Sequence, residues 1–442
     1  MSRMLIEGAD ALLTEPMLSL RRGVNLALDG GRILAIGDVP PGFVPDERLD
    51  ARGLLALPGF FNAHCHAAMS LVRGFAEDLP FPRWLNEKIW VAESALEPED
   101  VYWGTALAAC EMIRAGIVGF ADHYFFMDRA ARAVEESGLK ALLAWCLFGL
   151  GPEREVGGAS LEETTAFVRA HHGRAEGRLR CALGPHSPYM CPPEFLVAVR
   201  REAERFGVGV HLHLSESEEQ VQASLARHGR RPVAQVAELG LLDGPCLAAH
   251  CIAVDEADLE LLAQPGVHVA HTPKTYMKLA MQMAPLSRQL GAGVRVALGT
   301  DGPASNFDLN LLEVMRLAGL VQKLATQDAE ALPVATLLAL ATRAGAEALG
   351  FPESGQLRAG APADLILIDT RRPHFVPRHD LAAAVVYAAH PADVRHVFVD
   401  GRALLRDGAL TTLDEERILY EAERRALRLT GQPLTQLRRY EG

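Results

Sequence analysis

The chain has 442 residues, 49% hydrophobic and 23% charged, with 44 Lys and Arg against 56 Asp and Glu for a formal charge of −12. That length and balance exclude a disordered chain, a collagen-like chain and a disulfide-stapled miniprotein, and they allow a substantial core. The acid excess argues against a general nucleic-acid or anionic-membrane binder, because phosphate affinity needs a basic face. The seven cysteines form no Cys-x-x-Cys pair, so neither a zinc ribbon nor a redox motif is present, and reduced, buried thiols are expected. The N-terminus lacks the pattern of a signal peptide. No run approaches the apolar length that spans a bilayer. A cytoplasmic protein is the expectation.

The first sixty residues read as short strands, with Val24 to Leu28 and Arg32 to Gly37 flanking the hairpin signal Asp29-Gly30-Gly31. The middle, from about Pro58 to Gly350, alternates strand-like and helix-like segments. Eight strand candidates end near His66, His123, Leu147, His186, Leu214, Cys251, Thr272 and Asp301. Amphipathic runs such as Pro193 to Phe206, Glu216 to Leu239 and Asp255 to Ala263 lie between them. Such alternation indicates parallel βα units, and eight of them predict a closed (β/α)8 barrel, with an open doubly wound sheet as the alternative. No Gly-x-Gly-x-x-Gly follows the first strand, which weakens a dinucleotide-binding reading. Towards the far end, Ala363 to Asp369 is a compact strand, and Val394 to Val399 and Ala403 to Leu405 flank another hairpin signal, Asp400-Gly401. Neither end makes a stable sheet alone. The expectation is an α/β protein whose two ends pair as one small composite β-sandwich, with the barrel inserted between them. The expected divisions are 1–57, 58–355 and 356–410, followed by a C-terminal helix and tail over 411–442. The Thr-x-x-Glu pair Thr412 and Glu415 predicts that helix's cap, with its Arg and Glu residues on a solvated face.

Histidines concentrate at the strand ends. His64 and His66 close the first barrel strand and point the same way, because side chains alternate along a strand. His211 and His213 share a face of the fifth strand. Glu216, three residues on, suits an acid that reaches a metal-bound water without being a ligand. The sixth strand ends at His250 and the eighth at Asp301. At the C-terminal mouth of a barrel these groups make a nitrogen and oxygen donor set suited to zinc or iron(II). Each residue alone reads as an ordinary core histidine or turn acid; their joint placement reverses that. His271 is ambiguous, and His268 carries no role.

The sequence resembles the amidohydrolase superfamily, and within it the branch of 5′-methylthioadenosine/S-adenosylhomocysteine deaminases and triazine hydrolases. The resemblance runs through Leu57-Pro58-Gly59-Phe60-Phe61-Asn62-Ala63-His64-Cys65-His66, through Arg73-Gly74-Phe75-Ala76-Glu77-Asp78-Leu79 with Trp84-Leu85, and through Gly184-Pro185-His186-Ser187-Pro188-Tyr189. It continues in His213-Leu214-Ser215-Glu216 and in Gly299-Thr300-Asp301-Gly302 followed by Ser305-Asn306. It implies one divalent metal per chain, zinc or alternatively iron, held by His64, His66, His213 and Asp301, with His211 as a supporting neighbour. It implies Glu216 as the proton-shuttling acid, His250 as the group that orients the water, and Asp301 as a further catalytic residue. Trp84, Glu93, His186, Glu216 and Ser305 are the implied substrate contacts, Glu93 accepting both ribose hydroxyls. The implied activity is hydrolytic deamination of an adenosine-type nucleoside. The alternatives are hydrolysis of another amino- or chloro-heterocycle (guanine, a pterin, a triazine) or a non-catalytic scaffold.

The chain departs from the branch in His271-Thr272-Pro273-Lys274-Thr275-Tyr276. There Tyr276 is a candidate to fill or reshape the substrate pocket, and Lys274 reads first as a surface lysine, with a cation for an anionic group as the alternative. Arg154 is the candidate for binding an amino-acid carboxylate. The expected partners are a small-molecule substrate and, by resemblance, further copies of the chain.

Overall fold

The computed structural model describes residues 3–14, 17–149 and 159–431. Five strands come first: β1 (Met4–Leu13), β2 (Ser19–Asp29), β3 (Arg32–Ile36), β4 (Glu47–Asp50) and β5 (Leu54–Pro58). Eight barrel strands follow: β6 (Phe60–Cys65), β7 (Ile117–Tyr124), β8 (Lys140–Leu147), β9 (Leu179–Pro185), β10 (Gly209–Leu214), β11 (Cys246–His250), β12 (Val267–His271) and β13 (Arg295–Leu298). The chain returns through β14 (Leu365–Asp369), β15 (Val394–Val399), β16 (Arg402–Arg406) and β17 (Ala409–Leu410).

β6 to β13 pair in chain order, all parallel. β6 and β7 are buried at every position, as strands covered on both faces must be. The seam between β13 and β6 is closed by the segment that carries the site. Asp301 N–H donates to the His64 carbonyl (2.9 Å), and Asn62 accepts from Thr300 N–H (2.9 Å) and donates to Thr300 Oγ1 (2.8 Å). Gly299 permits this approach, since a Cβ there would lie 2.9 Å from His64 N.

The two chain ends meet where β5 pairs antiparallel with β14, from Leu54 opposite Asp369 to Pro58 opposite Leu365. One nine-stranded sheet results. It curls, because the start of β3 also meets the segment leading into β14, Ile33 N–H donating to the Ala361 carbonyl (2.9 Å). Ile6, Leu26, Ile33, Leu365 and Phe398 fill its own core.

Local expectations need correction in three places. The run Glu216 to Leu239 is two helices, Glu218–His228 and Pro232–Glu238. The terminal helix Glu415–Thr430 is capped by Asp414, which accepts from Arg417 N–H (3.1 Å), while Thr412 donates to the Ser137 carbonyl. Its basic residues are not simply solvated: Arg425 and Arg428 both bind the fully buried Asp100. All seven cysteines are buried, and none is in a disulfide. Among the described residues, no helix is long and apolar enough to cross a membrane.

Candidate metal and substrate site

The C-terminal ends of the barrel strands converge on one cavity, open to solvent at its mouth. Nine of the ten expected site residues line it, and the tenth, His64, is fully buried against His66, His213 and Asp301. Two mouth residues hold left-handed backbone, His250 at φ 79° and Asp301 at φ 63°. Non-glycine residues adopt that conformation at a cost, and functional sites are where such strain collects.

The three histidines of the expected ligand set are turned by their Nδ1 atoms. His64 Nδ1 meets His211 Nε2 at 2.9 Å, His66 Nδ1 meets the His123 carbonyl at 2.6 Å, and His213 Nδ1 meets the His186 carbonyl at 3.1 Å. Each Nε2 is thereby aimed inward. His66 Nε2 lies 3.3 Å from His213 Nε2 and 3.2 Å from Asp301 Oδ1, and His64 Nε2 lies 3.5 Å from the same oxygen. Ligands at about 2.1 Å from a tetrahedral ion stand about 3.4 Å apart. His64 Nε2 is buried with no good hydrogen-bond partner, as a lone pair reserved for a metal would be. The donor set therefore fits one divalent cation.

The electrostatics agree. Burial lowers His64 to about 4 and His213 well below the ordinary range, so both rings are neutral and ligand-ready. Burial also opposes protonation of His66, but the Asp301 hydrogen bond and charge outweigh it and take that ring up to about 9. Burial opposes ionisation of Asp301, but the neighbouring imidazoles hold its carboxyl well below the usual carboxylate range. Gly302 N–H (2.8 Å) and Ser305 Oγ (3.1 Å) fix its two oxygens.

Glu216 stands beside this cluster. Its Oε2 accepts from Tyr189 (2.9 Å), and its Oε1 lies 3.7 Å from His250 Nε2. His250 is set in turn by Thr272 Oγ1 at 3.1 Å from Nδ1.

Trp84 and Glu93 flank a π turn, Leu85–Ile89, between the short helices Phe81–Trp84 and Trp90–Glu93. Nine residues of regular helix would leave them about 180° apart. The π turn absorbs one residue, which cuts the offset to about 80°, and both line the cavity. Glu93 is buried, accepts from Tyr124 (2.7 Å) and is raised by burial to about 7.

At the departure, neither the pocket role of Tyr276 nor the cation role of Lys274 is met. Tyr276 is fully buried and does not line the cavity; its hydroxyl accepts from Thr272 N–H (3.1 Å) and donates to the His250 carbonyl (3.4 Å). Lys274 is bound to Asp308 and Glu313. Arg154 lies outside the described residues. His271 is buried against Tyr276 and is not part of the cavity lining. Sequence reasoning missed His123, which ends β7, lines the cavity 5.0 Å ring to ring from His213, and has both nitrogens buried without partners. Its strand-end position was the only available signal.

A parallel barrel with this donor set and an acid at its C-terminal mouth defines a class of metal-dependent hydrolases. The sequence profile of the Amidohydrolase family matches residues 55–404, and the chain belongs to that family. It is 46% identical over 434 residues to the 5-methylthioadenosine/S-adenosylhomocysteine deaminase of Pelotomaculum thermopropionicum, covering 98% of this chain and 100% of that protein. It is 42% identical over 431 residues to the 5′-deoxyadenosine deaminase of Methanosarcina mazei, covering 98% and 99%. The crystal structure of an adenosine deaminase from Xanthomonas campestris with bound zinc superposes with a TM-score of 0.92 at 32% identity, covering 97% and 98%.

Proposed function

We propose that this chain is a zinc-dependent hydrolase that releases ammonia from the 6-amino group of an adenosine-type nucleoside. The observation that carries the nucleoside reading is Glu93, a buried carboxylate in the wall of the cavity that holds the metal-type cluster. A free base or a triazine offers no diol for it to accept. The deaminase names of the relatives support the same chemistry.

Nε2 of His64, His66 and His213 and a carboxylate oxygen of Asp301 would hold the metal, which would supply Lewis acidity and lower the pKa of a water to about 7. Glu216 takes a proton from the attacking water and delivers it to the ring nitrogen beside C6, so no ring anion builds up. The water oxygen bonds to C6. His250 faces that oxygen and orients it, and the Asp301 carboxylate accepts the proton that remains on it. That second water proton passes from the C6 hydroxyl through Asp301 to the amino nitrogen, the C–N bond breaks, and ammonia leaves a 6-oxopurine. Glu93 accepts from the ribose hydroxyls, Trp84 packs beside the substrate, His186 faces it, and Ser305 holds Asp301 at the cavity wall.

Ammonia release from metal-assayed protein tests this on adenosine, 5′-methylthioadenosine, S-adenosylhomocysteine, adenine, guanine, a pterin and a chlorotriazine. Nucleosides are expected to turn over far faster than adenine. Turnover of guanine or the triazine with silence on nucleosides would overturn the reading.

A further inference from the structure

One wall of the cavity is unlike its polar floor. Trp90 and Phe125 pack on Phe148 there, Phe81, Leu85 and Leu279 add further apolar lining, and among the described residues no lysine or arginine lines the cavity anywhere. Phe148, at the end of β8, organises this wall. Its ring stacks on His186 (5.0 Å, 27°), which stacks on His213 (4.6 Å, 23°), so a column of rings runs outward from the metal-type cluster. Trp90 meets Phe148 edge-on at 6.3 Å, and Trp90 shares its helical turn with Glu93. A nucleoside with C6 at the cluster and its diol on Glu93 therefore has this aromatic surface available to its 5′ carbon.

We infer that Phe148 and Trp90 determine specificity by selecting a nucleoside with a small apolar 5′ group, deoxy or alkylthio, over one with a charged amino-acid tail. This rests on the nucleoside reading. An apolar 5′ group gains contact with the rings at no polar cost. The carboxylate and ammonium of an amino-acid tail lose hydration against these rings, and none of the described residues that line the wall is a cation to receive the carboxylate. An apolar pocket rejects even an added hydroxyl by up to about 100-fold, and an unpaired charge is rejected more strongly.

The test is kcat/KM of the metal-replete protein for 5′-methylthioadenosine, 5′-deoxyadenosine, adenosine and S-adenosylhomocysteine, with Phe148→Arg and Phe148→Leu alongside. The wild type is expected to prefer the first two over S-adenosylhomocysteine by about 100-fold or more. Phe148→Arg narrows that ratio by about 10-fold, with bound metal unchanged, whereas Phe148→Leu preserves it. Comparable wild-type turnover of S-adenosylhomocysteine and 5′-methylthioadenosine would overturn the inference while leaving nucleoside deamination standing. Silence on all four substrates would remove the nucleoside reading and this inference with it.

Discussion

Glu216 is held by Tyr189 and faces His250, so its carboxylate is oriented without being part of the ligand set. Glu216→Gln keeps that shape and removes the proton carrier. Steady-state ammonia release should fall by about 10²–10⁴-fold with metal content unchanged. His211 acts one contact further out. Replacing it with Phe removes the partner of His64 Nδ1 and should weaken metal affinity by about 10–100-fold, read by competition with a chelator. Glu93 carries a pH dependence of known sign. Burial lifts its carboxyl from 4.5 to about 7, the Tyr124 hydrogen bond opposing only in part. The native state then binds more protons than the unfolded state between those values, so stability falls as pH rises through that window. Glu93→Gln should be more stable than the parent above pH 7, by up to about 3 kcal/mol in denaturant unfolding, and little different near pH 4. Its KM for nucleosides should rise. His64, His66, His213, Glu216, His250 and Asp301 were legible because their residue types can be read at strand ends. His123 was not, because the resemblance gives it no role although its strand end was expected, and Tyr124 and Tyr189 were not, because their partners are distant in sequence.

At the scale of elements, the barrel strands were legible from their compact apolar runs; seven of the eight expected ends fall within one residue of the observed ones, and the eighth, Asp301, lies three residues past the end of β13 at Leu298. Loops were less so. Tyr276, a candidate for the substrate pocket, turns into the core between β11 and β12 because its hydroxyl serves Thr272 N–H and the His250 carbonyl. Tyr276→Phe should cost about 1 kcal/mol of stability. Through looser seating of His250 it should lower kcat more than it changes KM. The π turn at Leu85–Ile89 was equally invisible, since nothing in the nine-residue spacing of Trp84 and Glu93 announces an extra residue in the turn.

For the whole molecule, the pairing of the two chain ends was legible from their hairpin signals, but what locks that sheet to the barrel was not. Lys140, almost fully buried at the start of β8, binds Asp364 (2.5 Å) just before β14 and Asp400 (2.8 Å) in the β15–β16 turn. Lys140→Met would leave two carboxylates facing each other in a buried space. Denaturant unfolding should show a loss of about 3–5 kcal/mol, with kcat of the folded fraction unchanged.

The most direct test of the central claim is a zinc titration of metal-stripped protein, read as ammonia released from 5′-methylthioadenosine. The account predicts that activity rises from background and saturates at one zinc per chain. Turnover that persists without metal, or a full zinc complement with no ammonia from this or any adenosine-type nucleoside, would contradict it.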